Sequence, residues 1–329
     1  MTRVVLGMLL AAALCGCGRG GAGALKQEYK MQVTVGPANH WGLGAAKFAE
    51  LAKAKTNGKI NIKPYYGSQL LKGAQLSSAQ MVSSGAIDCA LESTINLCPV
   101  FPELNVFSLP FFVDGHAQLD KLEAGATGRL LFTLLERKGL QPLGWGENGF
   151  RQLTNSKRPV KSPDDLKGLK IRVVGSPIFV DIYRALGSDP INMNWGDAVV
   201  AFQQGAVDGQ ENPMGILIST QISKYHKYLT LWNYLADPLV LCWNKAEWDA
   251  FPGDIKQSLT AAAVEACAYE KALARVNLDG SALKKEGMEV TVPDAPALAA
   301  FKRATAPVIE AWSAKIGPEV MAAAKADLR

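Results

Sequence analysis

An α/β fold is predicted by two observations. Segments with strand periodicity and segments with helix periodicity alternate along the chain, and the first three form one βαβ unit. In "MQVTVG", Met31, Val33 and Val35 fall on one face of a strand. Residues 44–55 follow, with Phe48, Leu51 and Ala52 at helical spacing, and "TNGK" supplies a glycine at the helix C-terminus. "INIKPYY" is a second strand. Such a unit implies a parallel pair joined by a right-handed crossover.

The alternation continues. "LSSAQMVSSGAIDCALES" reads as a helix, a glycine stop and a strand. "ELNVFSLPFFV" is apolar and interrupted by proline. A helix near 120–138 leads to the strand "LQPLGWGEN", then to the strand "LKIRVVG" and a helix over 177–187. "WGDAVVAFQQGAVDGQENP" is a short helix, a glycine turn and a tight loop of acidic and amide residues, and "YHKYLTLWNYLADPLVLCWNK" is strand-like and aromatic. Residues 254–286 are rich in Ala, Leu, Glu and Lys, all strong helix formers. A continuous helix of that length would reach about 50 Å, so it either spans two domains or breaks near Gly280. "MEVTVP" is the last strand, and residues 296–316 form a closing helix with Pro296 in its first turn.

The ends and the charge narrow the class. "MTRVVLGMLLAAALCGC" has one early charge, Arg3, and an apolar run from Val4 to Leu14. The run is too short to span a bilayer comfortably and matches a secretory signal. "LCGC" resembles a bacterial lipobox with Cys17 as the lipidated residue, although Cys15 departs from the usual pattern. Residues 1–16 are therefore expected to be a signal peptide and 17–28 a lipid-anchor tether, which begins Gly-rich as "CGRGGAGALKQ". "GCGRGG" matches a dinucleotide fingerprint only formally, because no strand precedes it and no helix follows. The 329 residues are 48% hydrophobic, enough for about two domains. The 35 basic and 30 acidic side chains are interleaved, which argues against a nucleic-acid stripe and suits attraction of small anions. Cys89, Cys98, Cys242 and Cys267 form no C-x-x-C pair and read as buried small hydrophobes.

Enzyme constellations are scarce. The three histidines, His40, His116 and His226, sit in no H-E-x-x-H, and neither G-x-S-x-G nor a P-loop occurs. No catalytic residue, metal or cofactor is expected. Arg172 is the more informative residue. On "LKIRVV", Leu169, Ile171 and Val173 share one face, and Lys170, Arg172 and Val174 the other. Helices flank this strand in sequence, so both faces are covered, and a guanidinium there needs an anion: an internal carboxylate or a ligand. Arg151 follows "LQPLGWGEN" by a few residues, which reads as a surface position near a crossing. Asn212 in "DGQENP" precedes a proline in a turn.

"NGFRQLTNSKRPVKSPDDLKGLKIRV" followed by "WGDAVVAFQQGAVDGQENP", with "FAELAKAKTNGKINIKPYYGSQL" and "LPFF", closely resembles the substrate-binding proteins of TRAP transporters, the DctP-like family, from about Gln32 to Lys315. The resemblance implies a periplasmic-binding-protein-like architecture: two α/β lobes with a central ligand cleft, joined by hinge strands and a long spanning helix. The lobes would comprise 29–149 with about 238–278, and 150–237 with about 279–329. By the same resemblance Arg172 holds a ligand carboxylate, Arg151 is a second arginine contacting ligand, and Asn212 lies near that carboxylate. Asn148, His40, Trp41, Glu92, Ser93 and Thr94 match pocket-lining positions, with Trp195, Trp232 and Tyr234 as further candidates.

The implied function is capture of a small organic acid in an interlobe cleft and delivery to a permease with one small and one large membrane subunit, driven by an ion gradient. Nucleic acid is not an expected partner, and membrane contact is expected only through the lipid anchor, on the periplasmic side. Two other readings stay open: a secreted α/β enzyme acting on an anionic metabolite, and a binding protein that feeds a sensor.

Overall fold

The computed structural model describes residues 25–329; the expected signal peptide and Cys17 lie outside them. The strands are β1 (Tyr29–Val33), β2 (Ile62–Tyr65), β3 (Cys89–Ser93), β4 (Leu140–Asn155), β5 (Lys170–Val173), β6 (Asp189–Asn192), β7 (Gly209–Pro213), β8 (Tyr228–Thr230), β9 (Ala236–Asn244) and β10 (Glu289–Thr291). They join in one sheet in the order β2-β1-β3-β9-β4-β7-β5-β6, with β8 also beside β4 and β10 beside β8. As the βαβ reading requires, β1 and β2 are parallel.

The sheet has two halves because β4 serves both. Its residues 140–150 run antiparallel to β9, which in turn pairs with β3. Its residues 151–155 run antiparallel to β7, with β8 beside residues 153–155. The expected strand "LQPLGWGEN" therefore continues through "GFRQLTN". The β4–β9 ladder is irregular between Pro142 and Gly144 and between Glu147 and Gly149. Gly149 has φ 115°, a conformation that requires glycine. Bulges there bend the ladder where the chain passes from one half to the other.

Helix His40–Lys55 and helix Gly253–Ala274 pack on each other and cover the first half-sheet, burying Met31, Phe48, Leu241 and Trp243. Of the two readings of 254–286, the structure takes the break: the long helix stops at Ala274, and a short one, Ser281–Lys285, starts after Gly280. Asn277 and Gly280 take positive φ, 56° and 75°, which a continuous helix cannot contain. Arg275, just past the last turn, is anchored to Asp120 and Glu147 instead.

The element that touches both halves is helix Ala295–Ile316. Its Phe301 meets the Trp232 ring at 5.0 Å, its Trp312 Nε1 donates to Asp181 at 2.8 Å, and it also packs on the 3-10 stretch Pro102–Ser108. A further helix, Pro318–Asp327, docks on the first half: Asp327 accepts from the Ala126 and Thr127 amides at 3.1 and 2.8 Å, capping helix Ala126–Arg137. This last helix therefore does not sit with residues 150–237 as expected for all of 279–329. The expected tether also ends early. Leu25 packs on the core, and Lys26 pairs with Asp88 and with Glu247 at 2.6 Å. The four cysteines of the described residues are buried and unbridged, and burial raises each thiol's pKa.

Candidate functional site: a cleft between the half-sheets

A partly open cavity lies between the halves, with about 370 Å³ of empty space that includes some open solvent. Thr34, Trp41 and Ser93 reach it from the first half, Arg172, Trp195 and Asn212 from the second. Asn148 and Arg151 on β4 and Asp237 on β9 form its wall at the crossing. The halves also touch beside it. Gln75 Oε1 accepts from the Trp195 amide at 2.7 Å, and Asn39 Nδ2 donates to the Gly215 carbonyl at 3.3 Å and to Ser219 Oγ at 3.1 Å.

The two arginines differ in kind. Arg151 is buried, not on the surface as its sequence position suggested, because β4 runs on past it between β7 and β9. Its Nε and Nη2 form a fork on the Glu211 carboxylate, with Nη2 to Oε1 at 2.8 Å, and Nη1 donates to Asp237 at 2.6 Å. Nη2 also donates to the Glu211 carbonyl and to Asn212 Oδ1. Burial alone would weaken its proton affinity, but Glu211 and Asp237 more than reverse that and raise its pKa.

Arg172 is equally buried and has no carboxylate within salt-bridge distance among the described residues. Nε and Nη2 donate to one backbone oxygen, that of Met193, at 3.2 and 2.7 Å, and the guanidinium stands 5.6 Å from the centre of the Trp195 ring. Among the described residues no hydrogen bond uses Nη1. Burial, with Glu211 only partly opposing it, pushes its pKa down to about 10.

Of the expected site residues, Arg172, Arg151, Asn212, Trp41, Ser93, Asn148 and Trp195 come together around the cavity. Glu92 lies one layer behind. Its carboxylate accepts from Thr34 and from Asn96 Nδ2, orienting two side chains that do line the cavity, and burial pushes its pKa up to about 7. Thr94 is fully buried at the start of the short helix that Ser93 caps. His40 opens its helix, with Nδ1 2.7 Å from Glu270 Oε1 and the ring against Gly215. Tyr234 supports the arginine pair from behind, donating to Glu211 Oε2 at 2.8 Å, and Trp232 borders a separate cavity with Phe111 and Leu231. Glu92, Thr94, His40, Trp232 and Tyr234 are therefore not cavity walls.

Sequence reasoning missed Gln75, Asn96, Asp237, Val174 and Ile216, all of which line the cavity. Asp237 directly precedes Pro238, an expected strand position, and only its partners Ser93, Asn148 and Arg151 reveal its place.

Two half-sheets sharing crossing strands, with a charged cleft between them, define a two-lobe binding protein. Residues 31–315 match the family described as bacterial extracellular solute-binding protein, family 7 (DctP), and this chain belongs to that family. It is similar to a TRAP periplasmic solute-binding protein from Ralstonia eutropha H16 solved with bound (S)-2-hydroxy-2-methyl-3-oxobutanoate. The identity is 42%, the TM-score 0.90, and 92% of this chain and 99% of that one are covered. It is also similar to the sugar acid binding protein DctPAm from Advenella mimigardefordensis, solved with galactonate (29% identity, TM-score 0.86, 91% and 98% covered). A third relative is the C4-dicarboxylate-binding periplasmic protein DctP of Rhodobacter capsulatus (32% identity, 90% of each chain). The family is extracytoplasmic and serves TRAP transport, and no helix of the described residues is long and apolar enough to cross a membrane.

Proposed function

We propose that this protein captures a small organic acid in the cleft, with the Arg172 guanidinium holding its carboxylate, and delivers it to the small and large membrane subunits of a TRAP permease without chemical change. The observation that carries the reading is a buried Arg172 whose only acceptor among the described residues is one carbonyl. A buried charge without a counter-charge is costly, and a carboxylate answering its free Nη1 would relieve that cost. Arg151 acts by position. Already neutralised by Glu211 and Asp237, it fixes the wall through Asn212. The acids bound by the relatives support an organic acid as ligand. Residues 29–149 with about 238–278 form one lobe and 150–237 the other. Helix Ala295–Ile316 bridges them, and hinge motion at the bulged β4–β9 ladder opens and closes the cleft.

Calorimetry against a panel of small acids tests this. Arg172→Ala is expected to abolish detectable binding while keeping a cooperative thermal transition; wild-type affinity in that variant refutes the role. We further propose that Cys17 carries the lipid anchor. Cys17→Ser should move the protein from the membrane to the soluble periplasmic fraction, and unchanged membrane association refutes it.

A further inference from the structure

The cavity's own hydrogen bonding shows what else its ligand must carry besides a carboxylate. Most polar walls are already engaged as acceptors. Gln75 Oε1 accepts from the Trp195 amide, Asn96 Oδ1 from Gln75, and Asn212 Oδ1 from Arg151. The Asp237 carboxylate accepts from Ser93 on one oxygen and from Asn148 and Arg151 on the other. Asn148 differs. Its Nδ2 donates to Asp237 Oδ2 at 2.7 Å, and because a carboxylate only accepts, the amide cannot be turned the other way. Its Oδ1 is thereby fixed as the amide atom left over, buried and without a hydrogen-bond partner among the described residues. Asn148 as a whole is only 4% exposed and sits on the cavity wall.

Resting on the acid-binding reading above, we infer that Asn148 Oδ1 accepts a hydroxyl of the ligand, so that the site selects hydroxy-substituted monocarboxylic acids over their oxo or unsubstituted counterparts. A carboxylate or ketone oxygen offers this atom no proton and leaves it buried and unsatisfied. An alcohol O–H satisfies it and can itself accept one of the second amide protons on the wall. Ile95, Val174 and Ile216 on the remaining wall have no side-chain hydrogen-bonding atom, so the rest of the ligand is a short alkyl group and not a run of hydroxyls. A site that hydrogen-bonds one hydroxyl discriminates strongly against the analogue that lacks it.

The test measures affinity by calorimetry for two pairs: 2-hydroxy-3-methylbutanoate against 2-oxo-3-methylbutanoate, and 3-hydroxybutanoate against butanoate. In the wild-type protein the hydroxy acid of at least one pair should bind on the order of 10- to 100-fold more tightly than its counterpart. In Asn148→Ala that preference should fall to within about threefold, while binding still vanishes with Arg172→Ala. The wild-type comparison stands whether or not the Asn148 variant folds. Equal or inverted affinities in both pairs overturn the inference, as does a preference that survives Asn148→Ala. If neither pair binds but another acid binds in an Arg172-dependent way, the inference fails and the acid-binding reading stands. If no acid binds, both fail.

Discussion

Replacing each arginine by methionine, which keeps much of the volume and removes the charge, should move stability in opposite directions. For Arg172 the depressed pKa, pushed chiefly by burial to about 10, corresponds to a net penalty of about 3 kcal/mol for holding the charge. Methionine removes that penalty but also the hydrogen bonds to the Met193 carbonyl, about 1 kcal/mol, and the contact with the Trp195 face, about 0.5–1 kcal/mol. The unliganded Arg172→Met protein should therefore be as stable as wild type or more stable by about 1 kcal/mol. Arg151→Met strands two buried carboxylates, Glu211 and Asp237, and should cost about 3–5 kcal/mol. Urea unfolding followed by tryptophan fluorescence, on protein first stripped of ligand by partial unfolding and dialysis, measures both. If Arg172→Met is destabilised as much as Arg151→Met, Arg172 is a structural charge and the argument that it awaits a ligand fails.

Two other predictions follow from the cleft's surroundings. Burial raises Glu92 to about 7, so its contribution to stability is full below its ordinary value near pH 4.5 and is lost as pH rises through 7. Glu92→Gln should flatten the stability profile across that window by up to about 3 kcal/mol, and an unaltered slope in urea titrations at pH 5 and 8 would contradict the assignment. A Cβ on Gly215 would lie 2.5 and 2.6 Å from His40 Cδ2 and Nε2, and the Glu270 bond keeps that ring from turning away. Gly215→Ala should prop the halves apart, weakening acid binding by roughly tenfold or more and enlarging the ligand-bound radius of gyration in solution scattering; wild-type values of both would refute it.

The local patterns were legible. The βαβ start follows from periodicity, and Arg172 stood out because helices flank its strand on both sides. Arg151 was misplaced for a physical reason. Its strand was expected to end at Asn148, which put it in a crossing, whereas its partners Glu211 and Asp237 are 60 and 86 residues away in sequence. Pairing at such separations leaves no local pattern. The 254–286 stretch takes the second of its two readings, a break before Gly280, for the converse reason. Good helix formers continue past Ala274, but the tertiary bonds of Arg275 and the positive φ at Asn277 and Gly280 override propensity. Trp232 and Tyr234 are aromatic like the cavity walls, and composition cannot separate a wall from the layer behind it.

Because one strand, β4, is hydrogen-bonded to β9 at its start and to β7 and β8 at its end, neither half of the molecule can be excised as a self-sufficient fragment. Cutting between the halves would leave an unpaired sheet edge on one piece or both, an invitation to aggregation. Biosynthesis meets the same constraint. A nascent chain cannot finish the first half until β9 has emerged, nearly a hundred residues after β4 begins, so the completed sheet is a late event dominated by contacts distant in sequence. An exported protein with this topology has reason to remain unfolded until translocation is complete, and a slow-closing sheet gives it the time.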